Sequence, residues 1–176
     1  MTTRTFLGIP VEGDINEGSK RPAQKSLEEL QPLLQVLLDD EAIACFGWHQ
    51  YTPFFNDGEP CVFSASAVWV ARPEDLDPDI DEDDEQDTDS LDVSYNDHLG
   101  SYEGGEWVPD PENPGRNKLV GEAYEGPDQA RYDRCMALYN AVDSGEFDNV
   151  LLEAFGDHAR ITVRRDGIQV DSYEHD

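Results

Sequence analysis

Residues 159–173 read ARITVRRDGIQVDSY, and this stretch predicts a β-hairpin. Ile161 and Val163 alternate with polar side chains, and the alternation resumes at Ile168, as in strands with one apolar face. Between the two runs, Asp166–Gly167 is typical of a two-residue type I′ turn. We therefore expect two antiparallel strands joined at Asp166–Gly167.

A second hairpin is predicted upstream. CFGWHQYTPFF at 45–55 and CVFSASAVWVA at 61–71 are strand-like and flank the turn-rich NDGEP. Strict alternation in the second run places Phe63, Ala65 and Trp69 on one face, with Val68 and Val70 on the other. Because both faces are apolar, we expect this strand to be central and covered on both sides.

Three helices complete the predicted fold. Ser26 and Glu29 have the spacing of a capping box before a leucine-rich stretch, although Pro32 delays the expected regular helix to near Gln31. Gly126 and Pro127 open a second helix, and a short third one ends at Gly156. The order predicts an α+β domain over residues 1–176, with an antiparallel sheet of two hairpins, about four strands, and about three helices on one face.

Gly- and Pro-rich or acidic loops are expected between these elements. Residues 1–25 are predicted to form an irregular arm, and residues 74–97 an acidic, mobile loop. The stretch LGSYEGGEWVPDPENPGRN at 99–117 is also interpreted as turns, with Trp107 as its anchor.

Charge is the strongest functional signal in the chain. Its 176 residues include 40 Asp and Glu against 12 Lys and Arg, a formal net charge of -28. Residues 74–97 hold 13 of these acidic side chains, so more than half of the net charge lies outside that segment. Such a surface excludes extensive direct binding to nucleic acid or to an anionic membrane, and it favours a basic protein as partner.

Common catalytic and cofactor motifs are absent. The chain contains no GxGxxG, GxxxxGK[ST], HExxH, GxSxG or CxxC pattern, so we expect no cofactor. Alternating Asp77, Asp79, Asp81 and Asp83 suggest a calcium loop, but position six of such a loop is Glu82 instead of Gly, and position twelve is Thr rather than Glu. We therefore expect no specific metal site.

An enzyme hypothesis stays open at one place. His49 lies in a predicted strand, and His158 follows a predicted helix end, so either imidazole has Asp57 or Cys61 as a candidate catalytic partner. The cysteines, Cys45, Cys61 and Cys135, match neither zinc nor redox spacing. With no signal-peptide or membrane-span pattern, we expect a cytoplasmic protein.

Two segments resemble those of a known group. QYTPFFNDGEPCVF at 50–63 and FGDHARITVRRDGIQV at 155–170 are similar to segments of uncharacterised small acidic proteins of bacteria and their phages. The resemblance implies a phage or bacterial accessory role, which in the phage case places the protein in the host cytoplasm. It implies no activity or site residue.

The acidic run itself suggests a function. Carboxylates along DIDEDDE at 79–85 would be spaced by about 3.3 Å in extended chain, close to the charge spacing of one DNA strand, about 3.4 Å. This spacing predicts a DNA-mimic-like decoy that occupies the basic surface of a nucleic-acid-binding protein. The alternatives are an acidic or salt-adapted accessory protein, whose charge serves solubility, and an enzyme of unknown class. The predicted partner-binding residues are Asp77, Asp79, Asp81, Glu82, Asp83, Asp84, Glu85, Asp87 and Asp89.

Overall fold

The computed structural model describes residues 5–6, 9–10, 21–55, 57–58, 60–76 and 88–174. In chain order the strands are β1 (Thr5–Phe6), β2 (Ile9–Pro10), β3 (Cys45–Tyr51), β4 (Ser64–Ala71), β5 (Ser101–Pro109), β6 (Asn117–Glu125), β7 (Ala159–Arg164) and β8 (Gly167–Ser172). The helices are α1 (Leu27–Leu38), α2 (Gln129–Asp143) and α3 (Asp148–Phe155). Most of residues 1–25, predicted as an irregular arm, lies outside the described residues.

The main sheet confirms the predicted α+β class. Four antiparallel strands lie in the order β4-β3-β7-β8, and two further two-stranded sheets pair β1 with β2 and β5 with β6. Phe46 and Trp48 of β3 point into the main core, together with Ile161 and Val163 of β7. Helix α2 packs against β4, and α1 packs against α2.

The strand predicted to be central is at the end of the sheet order. β4 pairs with β3 alone among the named strands, although an isolated bridge joins its Trp69 to Asp92. A β-bulge at Ala67, whose φ is +52°, breaks the alternation that the sequence suggested. Ala65 therefore shares the main core with Val68, while Trp69 packs on the opposite face in a second cluster.

Helix α1 begins earlier than predicted. It starts at Leu27 rather than near Gln31, with Ser26 as N-cap and Pro32 inside the helix. The N–H of Ser26 donates to the Glu29 carboxylate at 3.0 Å, which is half of the expected capping box. This cap and the burial of Leu30 and Leu37 outweigh the hydrogen bond that Pro32 removes.

The other two helices have local signals that explain their limits. The Asp128 carboxylate caps α2 by accepting the N–H of Arg131 at 2.9 Å. Helix α3 ends at Gly156, whose φ of +80° is accessible to glycine without a steric penalty. Both observations confirm the predicted helices.

The β7–β8 turn differs from the prediction by one residue. Arg165 and Asp166 form the turn, since Arg164 pairs with Gly167, and neither turn residue has the positive φ of a type I′ turn. The observed register places Ile161 opposite Val170. A turn at Asp166–Gly167 would have placed Ile161 opposite a serine, so apolar cross-strand pairing outweighs the local turn preference.

A second correction concerns the region predicted as turns over 99–117. β5 and β6 form an antiparallel hairpin within residues 101–125, which we call the exposed hairpin because nearly all its side chains contact solvent. Trp107 does not anchor it, because 67% of this side chain is exposed. Gly104, Gly105 and Gly121 all have positive φ, which explains why the strands lack a regular sequence alternation.

The segment predicted as an acidic loop, 74–97, is described only at its two ends. Pro73–Asp75 and Asp89–Leu91 form short 3-10 helices, and residues 77–87 lie outside the described residues. At the second end Val93 donates its N–H to the Val68 carbonyl at 2.8 Å. Leu91 and Val93 are both buried, so this part of the segment covers the outer edge of β4.

Gly47 in β3 provides a direct test of this packing. A Cβ atom there would lie 1.9 Å from the Ile161 carbonyl oxygen and 2.7 Å from the Trp69 ring, so Gly47→Ala forces the sheet apart. We predict a loss of about 1–3 kcal/mol in the free energy of unfolding, measured by urea denaturation. Gly167→Ala in the same sheet is the control, since it has open space and an ordinary φ. Equal stability of the two variants would contradict the described β3–β7 contact.

Candidate interaction site

Most of the predicted partner-binding residues cannot be placed. Asp77, Asp79, Asp81, Glu82, Asp83, Asp84, Glu85 and Asp87 lie outside the described residues. Asp89 is at the start of the 3-10 helix Asp89–Leu91, beside the edge of β4. Of the predicted set, the structure therefore places only the backbone of Asp89.

The rare basic side chains are held by the protein itself. Asp40, just after α1, accepts hydrogen bonds from Arg131 at 2.9 Å and from Arg134 at 2.6 Å, both on α2. Burial favours the neutral acid, but these two guanidinium groups outweigh it and hold the pKa of Asp40 below its ordinary value. Arg165 donates to the backbone carbonyl of Asp40 at 2.7 Å. Asp40 thus joins α1, α2 and the β7–β8 turn.

Three further basic side chains, Arg72, Lys25 and Lys118, also lie next to carboxylates of the same chain. Arg72 donates to the Asp75 carboxylate through Nε and Nη2, at 2.9 and 2.7 Å, which lowers the pKa of Asp75. Lys25 lies 2.6 Å from Glu146. Lys118 lies 3.9 Å from Asp110. These pairs reduce the number of cations that face solvent alone and leave the surface dominated by carboxylates.

A groove at the base of the exposed hairpin concentrates this acidity. Its volume is about 650 Å³, and the residues that line it include the acidic Asp97, Glu103 and Glu125 and the aromatic Tyr95 and Tyr132. The lining residues include no Lys, Arg or His. The sequence analysis does not single out Glu103, which lies in the stretch interpreted as turns, or Glu125, which lies beyond it. The groove is chemically suited to a cationic side chain.

Three tyrosines hold the hairpin against the body at this point. The rings of Tyr102, Tyr124 and Tyr132 contact one another with centroid separations of 5.6–5.8 Å. Tyr124 also donates its hydroxyl to the Leu99 carbonyl at 2.6 Å. The wall of the groove formed by Glu103 and Glu125 is therefore fixed to α2 through aromatic packing.

The candidate catalytic residues do not form a catalytic group among the described residues. His49 is buried and its ring stacks on Tyr173 with centroids 4.2 Å apart, whereas Cys61 and Asp57 are exposed. No hydrogen bond or ion pair joins His49, Asp57 and Cys61 to one another in the described part of the chain. Among the buried thiols, burial raises the pKa of Cys135 to about 12, which keeps it protonated.

His158 lies next to the carboxylate of Asp157. Its Nε2 lies 3.9 Å from Asp157 Oδ1, and its ring stacks on Phe54 with centroids 4.7 Å apart. Asp157 Oδ1 already accepts the N–H groups of Thr52 at 2.8 Å and of His158 at 2.9 Å. This carboxylate therefore stabilises the loop after α3 and ties it to the backbone after β3.

The described residues contain neither a cluster of metal-binding side chains nor a helix able to span a membrane. No group of three or more His, Cys, Asp or Glu side chains there is arranged to bind a metal ion. None of the described helices combines the length and the apolar character that a membrane span needs. Comparisons with protein-family models, curated proteins and solved structures found no match.

The Asp40 contacts predict a specific loss of stability. Asp40→Asn leaves Arg131 and Arg134 without a charged acceptor, so the free energy of unfolding at pH 7 should fall by about 2 kcal/mol. Asp39→Asn, with the same charge change at an exposed neighbour, is the control for urea denaturation. The pKa of Asp40 is lower in the folded protein than its ordinary value of 3.8. The stabilisation that ionised Asp40 gives the fold is therefore present above pH 3.8 and is lost as the pH falls through the lowered pKa. A difference that persists at lower pH would contradict this assignment.

Proposed function

We propose that this chain is an acidic, non-enzymatic interaction protein that occupies the basic surface of a nucleic-acid-binding protein. The observation that supports the proposal is the charge arrangement: 40 acidic residues face 12 basic ones, and the chain's own carboxylates engage Arg72, Arg131 and Arg134. The surface therefore presents negative charge with few competing cations. A cytoplasmic accessory role in a phage or a bacterium is part of the same proposal.

Inhibition by occupation follows from general electrostatics. A basic groove that binds DNA gains affinity when it releases condensed counterions from the phosphates, and it also attracts an acidic protein surface by long-range steering. The open groove with Asp97, Glu103 and Glu125 offers a place for lysine or arginine side chains of such a partner. No bond is made or broken in this function, and it needs no cofactor.

Salt and DNA competition test the proposal directly. The immobilised protein should capture a basic nucleic-acid-binding protein from a bacterial lysate, and duplex DNA should release it. With that partner purified, the affinity should fall roughly a thousandfold between about 50 and about 200 mM salt, as for DNA contacts of similar number. A partner whose binding ignores salt and DNA would contradict the decoy function. Capture of no basic protein at low salt would favour the solubility alternative.

A matched pair of variants tests the predicted contact residues within 77–89. Glu82→Gln, Asp83→Asn and Glu85→Gln together should weaken binding of the purified partner more than Glu41→Gln, Asp143→Asn and Glu153→Gln together. Both triple variants remove three negative charges. The control positions 41, 143 and 153 are exposed and lie outside residues 77–89. Equal losses of affinity would show that these acidic residues have no special role in the contact.

A further inference from the structure

The exposed hairpin, residues 101–125, leaves apolar surface uncovered. Its two nine-residue strands pair with each other and with no other described strand. Of the three tryptophans in the chain, Trp48 and Trp69 are buried, whereas Trp107 of this hairpin is mostly exposed. An isolated two-stranded ribbon has no layer to cover such a side chain, and tryptophan is among the residues that most often anchor protein interfaces.

Carboxylates are carried by the same two strands as the Trp107 indole. Trp107 is opposite Leu119, and the Leu119 and Glu122 side chains both approach the space above Gly105. A Cβ atom on Gly105 would be 3.1 Å from Leu119 Cδ1 and 2.8 Å from Glu122 Cγ, so glycine permits this close approach. Leu119 and Glu122 therefore both reach the space above Gly105, and Trp107 is paired across the strands with Leu119, so an aromatic, an aliphatic and a carboxylate side chain lie in one short stretch of the hairpin.

An aromatic ring beside a carboxylate is suited to a cation. Arginine is attracted to the face of an indole and also makes charge-assisted hydrogen bonds to a carboxylate. The protein uses the same combination internally: Lys25 Nζ lies 2.6 Å from Glu146 and 5.7 Å from the centroid of the Phe147 ring. At the base of the hairpin, Glu103 and Glu125 extend the acidic surface into the groove.

We propose that the exposed hairpin docks on an arginine-bearing basic surface of the partner protein, with Trp107 as the anchoring side chain. This inference rests on the proposed function and names the element that makes the contact. Charge complementarity selects the occupant. A second copy of this chain would bring another net charge of -28 against the carboxylates of the hairpin, whereas a basic surface would neutralise them.

The fluorescence of Trp107 can report whether a bound partner covers this side chain. Because Trp48 and Trp69 are buried, acrylamide should quench chiefly the fluorescence of Trp107 in the full-length protein. The probe is a peptide of alternating arginine and glycine, free of aromatic residues, whose binding is measured independently by calorimetry at low salt. We expect saturating peptide to lower the acrylamide quenching constant at least about twofold, as a bound surface covers the indole. Trp107→Phe should remove this change.

Two alanine variants measure the contribution to affinity. Trp107→Ala should weaken peptide binding by a factor of about 30, the loss expected for an interface anchor. Phe55→Ala, which removes an aromatic side chain of similar exposure away from the hairpin, should change the affinity less than about twofold. Since both positions are exposed, circular dichroism should show both variants folded.

The outcomes separate this inference from the proposed function. Peptide that binds by calorimetry without protecting Trp107, or that binds Trp107→Ala as tightly as the unaltered protein, overturns the docking role of the hairpin and leaves the acidic-partner function standing. Absence of peptide binding at low salt overturns both. Acrylamide quenching that falls with protein concentration alone identifies a second copy as the occupant, and this result also overturns the inference.

Discussion

Repulsion among carboxylates is the constraint on which the rest of this structure depends. With 40 acidic and 12 basic residues, the chain has few cations with which to offset repulsion between elements that must pack together. The structure places several of them where segments meet. Arg131 and Arg134 hold the end of α1 against α2 through Asp40, and Lys25 holds the chain before α1 to the residues before α3 through Glu146. The partly buried Asp40 pairs are screened by salt less than surface pairs such as Lys25–Glu146.

Inside the molecule, a polar side chain connects sheet and helix. Gln50 of β3 is fully buried, accepts the indole N–H of Trp48 at 3.0 Å, and donates to the carbonyls of Leu151 and Gly156 at the end of α3. Each of these buried groups would be costly without a partner, so the contacts fix where α3 ends relative to the sheet. The apolar core and this network together keep the four-stranded sheet and three helices in one arrangement.

Local signals predict the three helices and the four strands of the main sheet, whereas features set by distant contacts have no such signal. The leucine spacing and the cap identified α1, and alternation identified β7 and β8. The bulge at Ala67 depends on packing Trp69 against the opposite face, and the turn at Arg165–Asp166 depends on cross-strand register; neither has a local signature. Asp40 meets arginines more than ninety residues away, a contact that one sequence cannot reveal.

The contact residues proposed within 77–89 stay a prediction, because nearly all of them lie outside the described residues. Net charge favours a basic partner, but the glycines and prolines of β5, β6 and their turn interrupt the alternation that predicts strands, and the sequence alone therefore predicts turns there, with Trp107 as their anchor. We propose that the acidic surface serves contact with a basic partner, and the alternative is that it is an adaptation to high salt. The two explanations predict different changes in the stability of the free protein when salt screens its surface charges.

The most direct test is the melting temperature of the unaltered protein as a function of sodium chloride concentration. If carboxylate repulsion is what the fold must offset, the melting temperature should rise as salt increases from about 0.01 to about 0.15 M, where the Debye length falls from about 30 to about 8 Å, and then level off. A melting temperature that is flat over this range would contradict the account. A melting temperature that rises mainly as salt approaches about 1 M would also contradict it, because that response is expected of a salt-adapted protein.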